Sequence, residues 1–489
     1  MTFREKRSKS KEINPAKGCG CRRSRKGRNI MYQIDFENPM PVYFIGIGGI
    51  SMSGLAEILM REGFDVSGSD AHESELTRHL ESQGAKVFYG HRAGNLPEDA
   101  SLVVYTAAIH PDNPEYGEAV RRGIPMLSRA ALLGQMMRNY RHALAIAGTH
   151  GKTTTTSMVA EILLAAGTDP TISVGGILPS IGGNIRVGGQ ELFVTEACEY
   201  TNSFLEFFPT IGVILNIEAD HLDFFKDLED IRHSFREFAK KIPAEGLLIL
   251  DGAISCPEEI TAGLACRVVT VTHGPGGDYG ATDITYDECA CASFTLTKDG
   301  APCGQVCLGV PGEHNVYNAL AAVAAAEALG VPMEAVRRGL AGFSGTERRF
   351  EKKGKVGGVV IIDDYAHHPQ EIAATLAVAK RYPHKKLWCV FQPHTYSRTK
   401  ALLEGFAREL SAADEVVLAK IYAARETDTQ GVSSADIAAR IEEYGTPVSC
   451  FDTFDEIETF ILKNCSPGDL LITMGAGDIV KVGEKLLGQ

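Results

Sequence analysis

The run Gly148-Thr149-His150-Gly151-Lys152-Thr153-Thr154 constrains this chain more than any other. It follows the apolar residues 143–147 and precedes a helix-forming stretch, residues 157–166. Strand, glycine-rich turn and helix in that order build a phosphate cradle. The glycines let backbone N–H groups converge on phosphate oxygens, and the helix N-terminus adds a favourable dipole field. Lys152 supplies a point charge for the β- and γ-phosphates, and the Thr153 hydroxyl can reach Mg²⁺. The general pattern wants glycine at position 146, where this chain has Ile146, so the loop is a shortened variant.

At 489 residues the chain is too long for one domain, and strand–helix alternation recurs on both sides of the loop. Residues 42–45 read as a strand and Gly46-Ile47-Gly48-Gly49 as a turn, with a helix over 55–62 and a strand from 65 that ends at Ser69-Asp70. An acid 22 positions after Gly48 approaches a dinucleotide fingerprint, although Ser51 stands where its third glycine belongs. Two readings stay open here. The glycines serve only the turn and helix packing, or they bind a dinucleotide such as NAD with Asp70 on a ribose. Further strands are expected at 102–105 and 124–127.

After the phosphate loop, the strand at 193–196 ends in Glu196. The strand at 211–216 runs into Glu218-Ala219-Asp220-His221-Leu222-Asp223. Acids and imidazoles at the carboxyl ends of parallel strands stand where ligands bind in such sheets. A phosphate loop needs a metal with hard oxygen ligands, which makes Thr153, Glu196 and His221 the candidates. An alanine-rich helix is expected over 318–329. A third α/β unit starts near Gly345, with strands at 359–364, 387–391, 415–418 and 470–474. Of the adjacent Arg348 and Arg349, one can clamp a transferring phosphoryl group. Asp364 can accept hydrogen bonds from ribose hydroxyls. His367, His394 and Arg398 suit an anionic or amino-acid-like substrate.

The twelve cysteines show no metal or disulfide spacing, so they read as free thiols of a reducing cytosol. The first thirty residues carry eleven Lys/Arg against two Glu, which leaves 38 basic and 60 acidic residues in the rest. This basic stretch reads as a disordered extension, or as sequence upstream of a start at Met31. A basic stretch of this kind can touch nucleic acid or anionic lipid, although no nucleic-acid partner is expected. No run of eighteen apolar residues occurs, so membrane insertion is not expected either.

Over about residues 40–480 the chain resembles the Mur ligases, the ATP-dependent amide-forming enzymes of peptidoglycan precursor synthesis. The shortened phosphate loop carries the likeness, with Asn216-Ile217-Glu218-Ala219-Asp220-His221-Leu222-Asp223 and Gly312-Glu313-His314-Asn315-Val316-Tyr317-Asn318. Phe44-Ile45-Gly46-Ile47-Gly48-Gly49, Phe343-Ser344-Gly345-Thr346-Glu347-Arg348-Arg349-Phe350, Asp363-Asp364-Tyr365-Ala366-His367-His368-Pro369 and Phe391-Gln392-Pro393-His394 narrow it. They point to the member that joins L-alanine to the lactyl carboxylate of UDP-N-acetylmuramate through an acyl phosphate. The alternative is the recycling member that attaches a murein tripeptide to the same sugar nucleotide.

The resemblance implies three α/β domains after a basic extension, 1–38. These are a Rossmann-like UDP-sugar domain, 39–139, a central P-loop ATPase domain with a mostly parallel sheet, 140–344, and a Rossmann-like ligase domain, 345–489. It implies ATP and Mg²⁺ as cofactors and a cytoplasmic monomer or weak homodimer. Gly148, Thr149, His150, Gly151, Lys152, Thr153, Thr154, Asn315, Asn318 and Asp364 would hold ATP, with Thr153, Glu196 and His221 on the metal. Gly46, Gly48, Gly49, Asp70 and His91 would lie by the UDP-sugar. Lys152, Glu196, His221 and Arg349 would act in catalysis, with His367 and Arg398 on substrate. Thr395 stands where many members have arginine, and Thr195-Glu196-Ala197-Cys198-Glu199-Tyr200 replaces a more acidic segment.

Overall fold

The computed structural model describes residues 33–489 apart from 222, 223, 273, 275, 425 and 429. The basic stretch, the reading of Met31 as a start, and Asp223 therefore lie outside the described residues. Among the described residues no helix is long and apolar enough to cross a membrane.

The first sheet holds β1 (Pro41–Ile45), β2 (Asp65–Asp70), β3 (Lys86–Tyr89), β4 (Leu102–Tyr105) and β5 (Met126–Ser128). All are parallel, in the order β3-β2-β1-β4-β5. Val42 to Ile45 are buried on both faces, as a central parallel strand requires. The chain leaves β1 toward β2 and β3, then returns past it to β4 and β5. A crevice therefore opens at the carboxyl end of β1, beside the Gly46–Gly49 turn. The helix after that turn runs Ile50–Arg61, five residues ahead of the expected start, because Gly49 caps it in an extended conformation. Gly54 within it packs against Ile185 of the central sheet. A Cβ there would meet the Ile185 side chain at 1.9 Å.

The central sheet holds β6 (His142–Ala147), β7 (Thr171–Leu178), β8 (Gly183–Arg186), β9 (Leu192–Ala197) and β10 (Ile211–Ile214). It continues with β11 (Leu247–Asp251), β12 (Arg267–Thr272), β13 (Tyr279–Tyr286), β14 (Cys291–Lys298) and β15 (Ala301–Pro311). The order is β15-β14-β13-β12-β11-β10-β6-β9-β7-β8, parallel from β13 to β7. Antiparallel pairs close each end. β6 lies in the middle, so the phosphate loop leaves the best-buried strand. The helix Lys152–Ala165 begins at the loop itself, not near 157, because Gly151 caps it in the left-handed region. Packing keeps the β-branched run 153–156 helical, overriding its weaker propensity. The alanine-rich helix likewise starts early, at His314–Ala328, and joins the same core.

The third sheet holds β16 (Glu351–Val356), β17 (Val359–Asp364), β18 (Leu387–Phe391), β19 (Glu415–Ala419), β20 (Val448–Phe451) and β21 (Leu470–Met474). Its order is β16-β17-β21-β18-β19-β20, parallel except for β16. The carboxyl ends of β17 and β21 carry Asp364 and the Gly475 turn.

Candidate active site

The phosphate loop is fixed by its glycines and by the exit of β10. Gly148 (φ 146°) and Gly151 (φ 84°) occupy backbone conformations that side chains disfavour, and a Cβ on Gly151 would sit 2.5 Å from Asn318 Oδ1. Asn216 braces the loop from both sides. Its Oδ1 accepts from His150 N (2.7 Å), its Nδ2 donates to the His150 carbonyl (3.0 Å), and its carbonyl accepts from Thr149 N. Lys152 Nζ donates to the Gly148 and Thr149 carbonyls and to the buried Glu199, whose Oε2 lies at 2.9 Å. Burial opposes the lysine charge, but Glu199, Cys198 and Glu196 outweigh it and push its pKa up.

Beside the lysine, the Thr153 hydroxyl faces Glu196 near the end of β9 and favours its charged form. Glu196 Oε1 also accepts from Gly175 N at 2.5 Å. Burial pushes the Glu196 carboxyl up in spite of Gly175, Thr153, Lys152 and Arg349. A hydroxyl and a carboxylate whose charge is under-compensated form a hard-oxygen set that fits Mg²⁺. His221 follows the exit of β10. Its ring lies 4.5 Å from that of Tyr200, with Nε2 3.7 Å from Asp220 Oδ2. Among the described residues no cluster of three or more His, Cys, Asp or Glu side chains could hold a metal.

A cleft of about 520 Å³ opens from the loop toward the third sheet, lined by His150, Gly151, Thr154, Asn315, Asn318, Arg349 and Asp364. Its lining also includes the apolar Ile254, Val271, Val310 and Val378. Asn318 Nδ2 donates to Asn315 Oδ1 (2.9 Å), and Asn315 Nδ2 to the Pro311 carbonyl (2.7 Å), so one helical face presents both amides locked in place. Asp364 accepts from Phe350 N and Ala366 N at 2.8 Å each, and burial pushes its pKa up to about 6 against Arg349. The two adjacent arginines part here. Arg348 turns inward at φ 61° and binds Asp363 and the carbonyls of Gly475 and Gly477, fastening the chain to β17 and β21. Arg349 stays in the cleft, its guanidinium over the Tyr365 ring.

On the other side of His150 the third domain closes in. Glu371 Oε1 lies 3.4 Å from His150 Nδ1, and Oε2 3.3 Å from His367 Nδ1. Burial works against the Glu371 charge, yet His367, His150 and Arg349 hold its carboxyl well below the usual range. His367 Nδ1 also faces the Tyr365 carbonyl at 3.0 Å, and burial lowers its pKa. Arg398 reaches Asp220 Oδ1 at 3.8 Å and His394 Nδ1 at 3.4 Å.

Gly46, Gly48, Gly49, Asp70 and His91 lie apart from this cleft, at the carboxyl ends of β1, β2 and β3. The amides of Gly46 and Ile47 donate to the Ser69 carbonyl, and Gly48 N donates to Asp70 Oδ2 at 2.8 Å. Sequence reasoning missed Gly175, Glu371 and Glu115. The double glycine 175–176 inside a strand is a readable mark of close approach, since a Cβ on Gly175 would lie 2.6 Å from Glu196 Oε2. Glu371 carries only the weak signal of its spacing from His367. Glu115 carries none.

Three family models match in chain order. They are the Mur ligase family catalytic domain over residues 41–141, the Mur ligase middle domain over 146–326, and the Mur ligase glutamate ligase domain over 348–477. The UDP-N-acetylmuramate–L-alanine ligases of Lachnospira eligens and Agathobacter rectalis are each 60% identical to this chain, spanning 94% of it and all of theirs. Among solved structures, the UDP-N-acetylmuramate–alanine ligase of Thermotoga maritima superposes with a TM-score of 0.75 at 31% identity, covering 92% of this chain and 98% of its own. A murein peptide ligase of Psychrobacter arcticus does so at 0.66 and 26%, with the same coverage.

Proposed function

Because this chain belongs to the Mur ligase family, we propose that it joins L-alanine to the lactyl carboxylate of UDP-N-acetylmuramate at the expense of ATP. One observation carries the reading. A phosphate loop, paired asparagine amides, a buried carboxylate and an arginine line one cleft, with acceptor-type groups just beyond it. The length and identity of the L-alanine-ligase relatives favour that acceptor over a tripeptide.

The sugar nucleotide would lie in the first-sheet crevice, with Asp70 and His91 beside it. ATP would place its adenosine against Asn315, Asn318 and Asp364, and its phosphates on residues 148–154. Thr153 and Glu196, with His221, would hold Mg²⁺, which when bound neutralises charge on the β- and γ-phosphates. The lactyl carboxylate attacks the γ-phosphorus, ADP leaves, and the acyl phosphate forms. The amine of L-alanine then attacks the acyl carbon and phosphate departs. Lys152 and Arg349 stabilise charge in both steps. Both neighbours of His367 Nδ1 are acceptors, so Nδ1 carries the proton and Nε2 can accept a hydrogen bond from the incoming ammonium. Alignment in one closed cleft contributes on the order of 7–11 kcal/mol.

Phosphate release should require UDP-N-acetylmuramate, L-alanine and ATP together. Release without the amino acid, or faster release with a murein tripeptide in its place, would overturn the assignment.

A further inference from the structure

Glu115 is the most completely satisfied buried carboxylate of the first domain, and the proposed reaction gives it no task. It sits in the first turn of the helix Pro114–Arg122, which Asn113 caps, and it is fully buried. Its Oε1 accepts from Arg92 N (3.1 Å) and Asn95 Nδ2 (2.7 Å). Its Oε2 accepts from Ser69 Oγ (2.5 Å) and lies 3.2 Å from His91 Nδ1. Ser69 Oγ is itself 3.1 Å from the same ring nitrogen.

Proton counting decides the imidazole. Ser69 has one hydroxyl proton and gives it to Glu115, so it offers His91 only a lone pair. Glu115 is an acceptor with about four lone-pair sites, three of them filled by Ser69, Asn95 and Arg92. Both groups facing Nδ1 are therefore acceptors, and Nδ1 must carry the proton. In the neutral ring, Nε2 is then a bare lone pair. Tyr43, buried beside this cluster, is pushed up in pKa by desolvation and keeps its own proton.

The position of the ring gives that lone pair a use. In doubly wound sheets the diphosphate sits on the glycine turn and the ribose on the acid that ends the second strand. The base then continues toward the third strand. Asp70 ends β2, and His91 follows the end of β3 by two residues. The ring remains 24% exposed. Uracil presents N3–H, a donor, whereas cytosine presents a bare N3, an acceptor.

We propose that Glu115 and Ser69 fix the tautomer of His91 so that its Nε2 accepts from uracil N3–H, selecting uridine over cytidine nucleotides. This rests on the reading that the crevice takes a UDP-sugar. Glu115 and Ser69 act here as positioning residues, through His91.

Two measurements test it on the full chain. In ¹⁵N NMR of the histidine rings, with the His91 signals assigned by their loss in His91→Gln, the unmodified protein should show the Nδ1–H form. A dominant Nε2–H form overturns the proposal. In calorimetric titrations, UDP should bind the unmodified protein about tenfold to a hundredfold more tightly than CDP. In Glu115→Gln, whose amide can donate to Nδ1, that preference should collapse toward parity while ADP affinity stays unchanged. A preference retained in a Glu115→Gln protein that still binds ADP overturns it. Equal binding of UDP and CDP by the unmodified protein removes the tautomer reading alone. Binding of neither removes the sugar-nucleotide reading as well.

Discussion

Replacing Asp364 by asparagine separates what the nucleotide cleft costs the fold from what it contributes to binding. The carboxyl ends β17 with 6% of its surface exposed. Its pKa rises from 3.8 to about 6 because burial outweighs Arg349 and the amides of Ala366 and Phe350. The unfolded chain releases this proton at the ordinary value, whereas the folded protein holds it to about pH 6. Stability is therefore lost as pH rises through that interval, and the full cost is present above it. At about 1.36 kcal/mol per unit, the loss between about pH 4.5 and about pH 7 is about 2 kcal/mol. Asparagine has no charge to desolvate, so the variant should gain on its parent by that amount over the same range. For a domain of this size the gain is roughly 4–8 °C in apparent Tm. The amide can accept from only one of the two N–H groups with its oxygen, but that penalty does not vary with pH and leaves the slope intact. Scanning fluorimetry of both proteins without nucleotide, across matched buffers, reads the difference directly. The same variant should bind ADP about tenfold to a hundredfold more weakly, since a charged acceptor is lost. A Tm difference that stays flat from acid to neutral pH refutes the electrostatic argument. Unchanged ADP affinity refutes the assignment of Asp364 to the nucleotide.

Lys152→Ala should lower phosphate release by about two to three orders of magnitude and, by stranding the buried Glu199, destabilise the protein by about 3–5 kcal/mol. Adding Glu199→Gln should restore Tm but not turnover, and an active single variant would sink the pairing. Gly175→Ala would push a methyl to 2.6 Å from Glu196 Oε2. Turnover should fall about tenfold to a hundredfold from the overpacking, which initial rates at saturating substrates would check. Thr153→Val and His221→Ala should each raise the Mg²⁺ concentration needed for half-maximal rate, and an unchanged Mg²⁺ dependence would remove that residue from the metal shell. His394 is lowered to about 4, by burial first and then by His367 and Arg398. The folded protein thus resists protonating it, and stability falls as pH drops from the ordinary 6.5 toward 4. His394→Gln should narrow that acid-side fall in Tm, and an identical acid profile would contradict it.

The parts legible in the sequence are those whose signal is local. The loop at 148–154 and the continuous apolar strands β1, β6, β17, β18 and β21 announce themselves because backbone geometry and two-sided burial each leave a mark in consecutive residues. Element starts were less legible. The helix at Lys152 begins five residues early because Gly151 caps it in a left-handed conformation, which composition alone does not report. The antiparallel arm β13–β15 escaped because its burial alternates, so no apolar run stands out. Arg348 and Arg349 are interchangeable as letters. Only the positive φ at Arg348 sends one guanidinium to Asp363 and leaves the other in the cleft. Glu115 was invisible for a deeper reason: Ser69, His91 and Asn95 meet it only after the chain has folded, whereas Glu371 left only its four-residue spacing from His367.

The charge distribution turns these particulars into an argument about the site. Beyond its first thirty residues the chain holds 60 acids against 38 bases, yet its proposed substrates are anionic nucleotides, so attraction must be local. Most nearby cations are already committed. Lys152 sits on Glu199, Arg398 faces Asp220, and Arg348 is held by Asp363. Arg349 makes no ion pair among the described residues and rests on the Tyr365 ring, within the field of Glu196, Asp364 and Glu371. A committed cation keeps its geometry without ligand, while an unpaired one retains its full charge for the group that arrives. Lys152 thus suits the proposed constant task of cradling phosphate. Arg349, which in the proposed reaction would meet charge that develops only during transfer, gains from having no partner to leave.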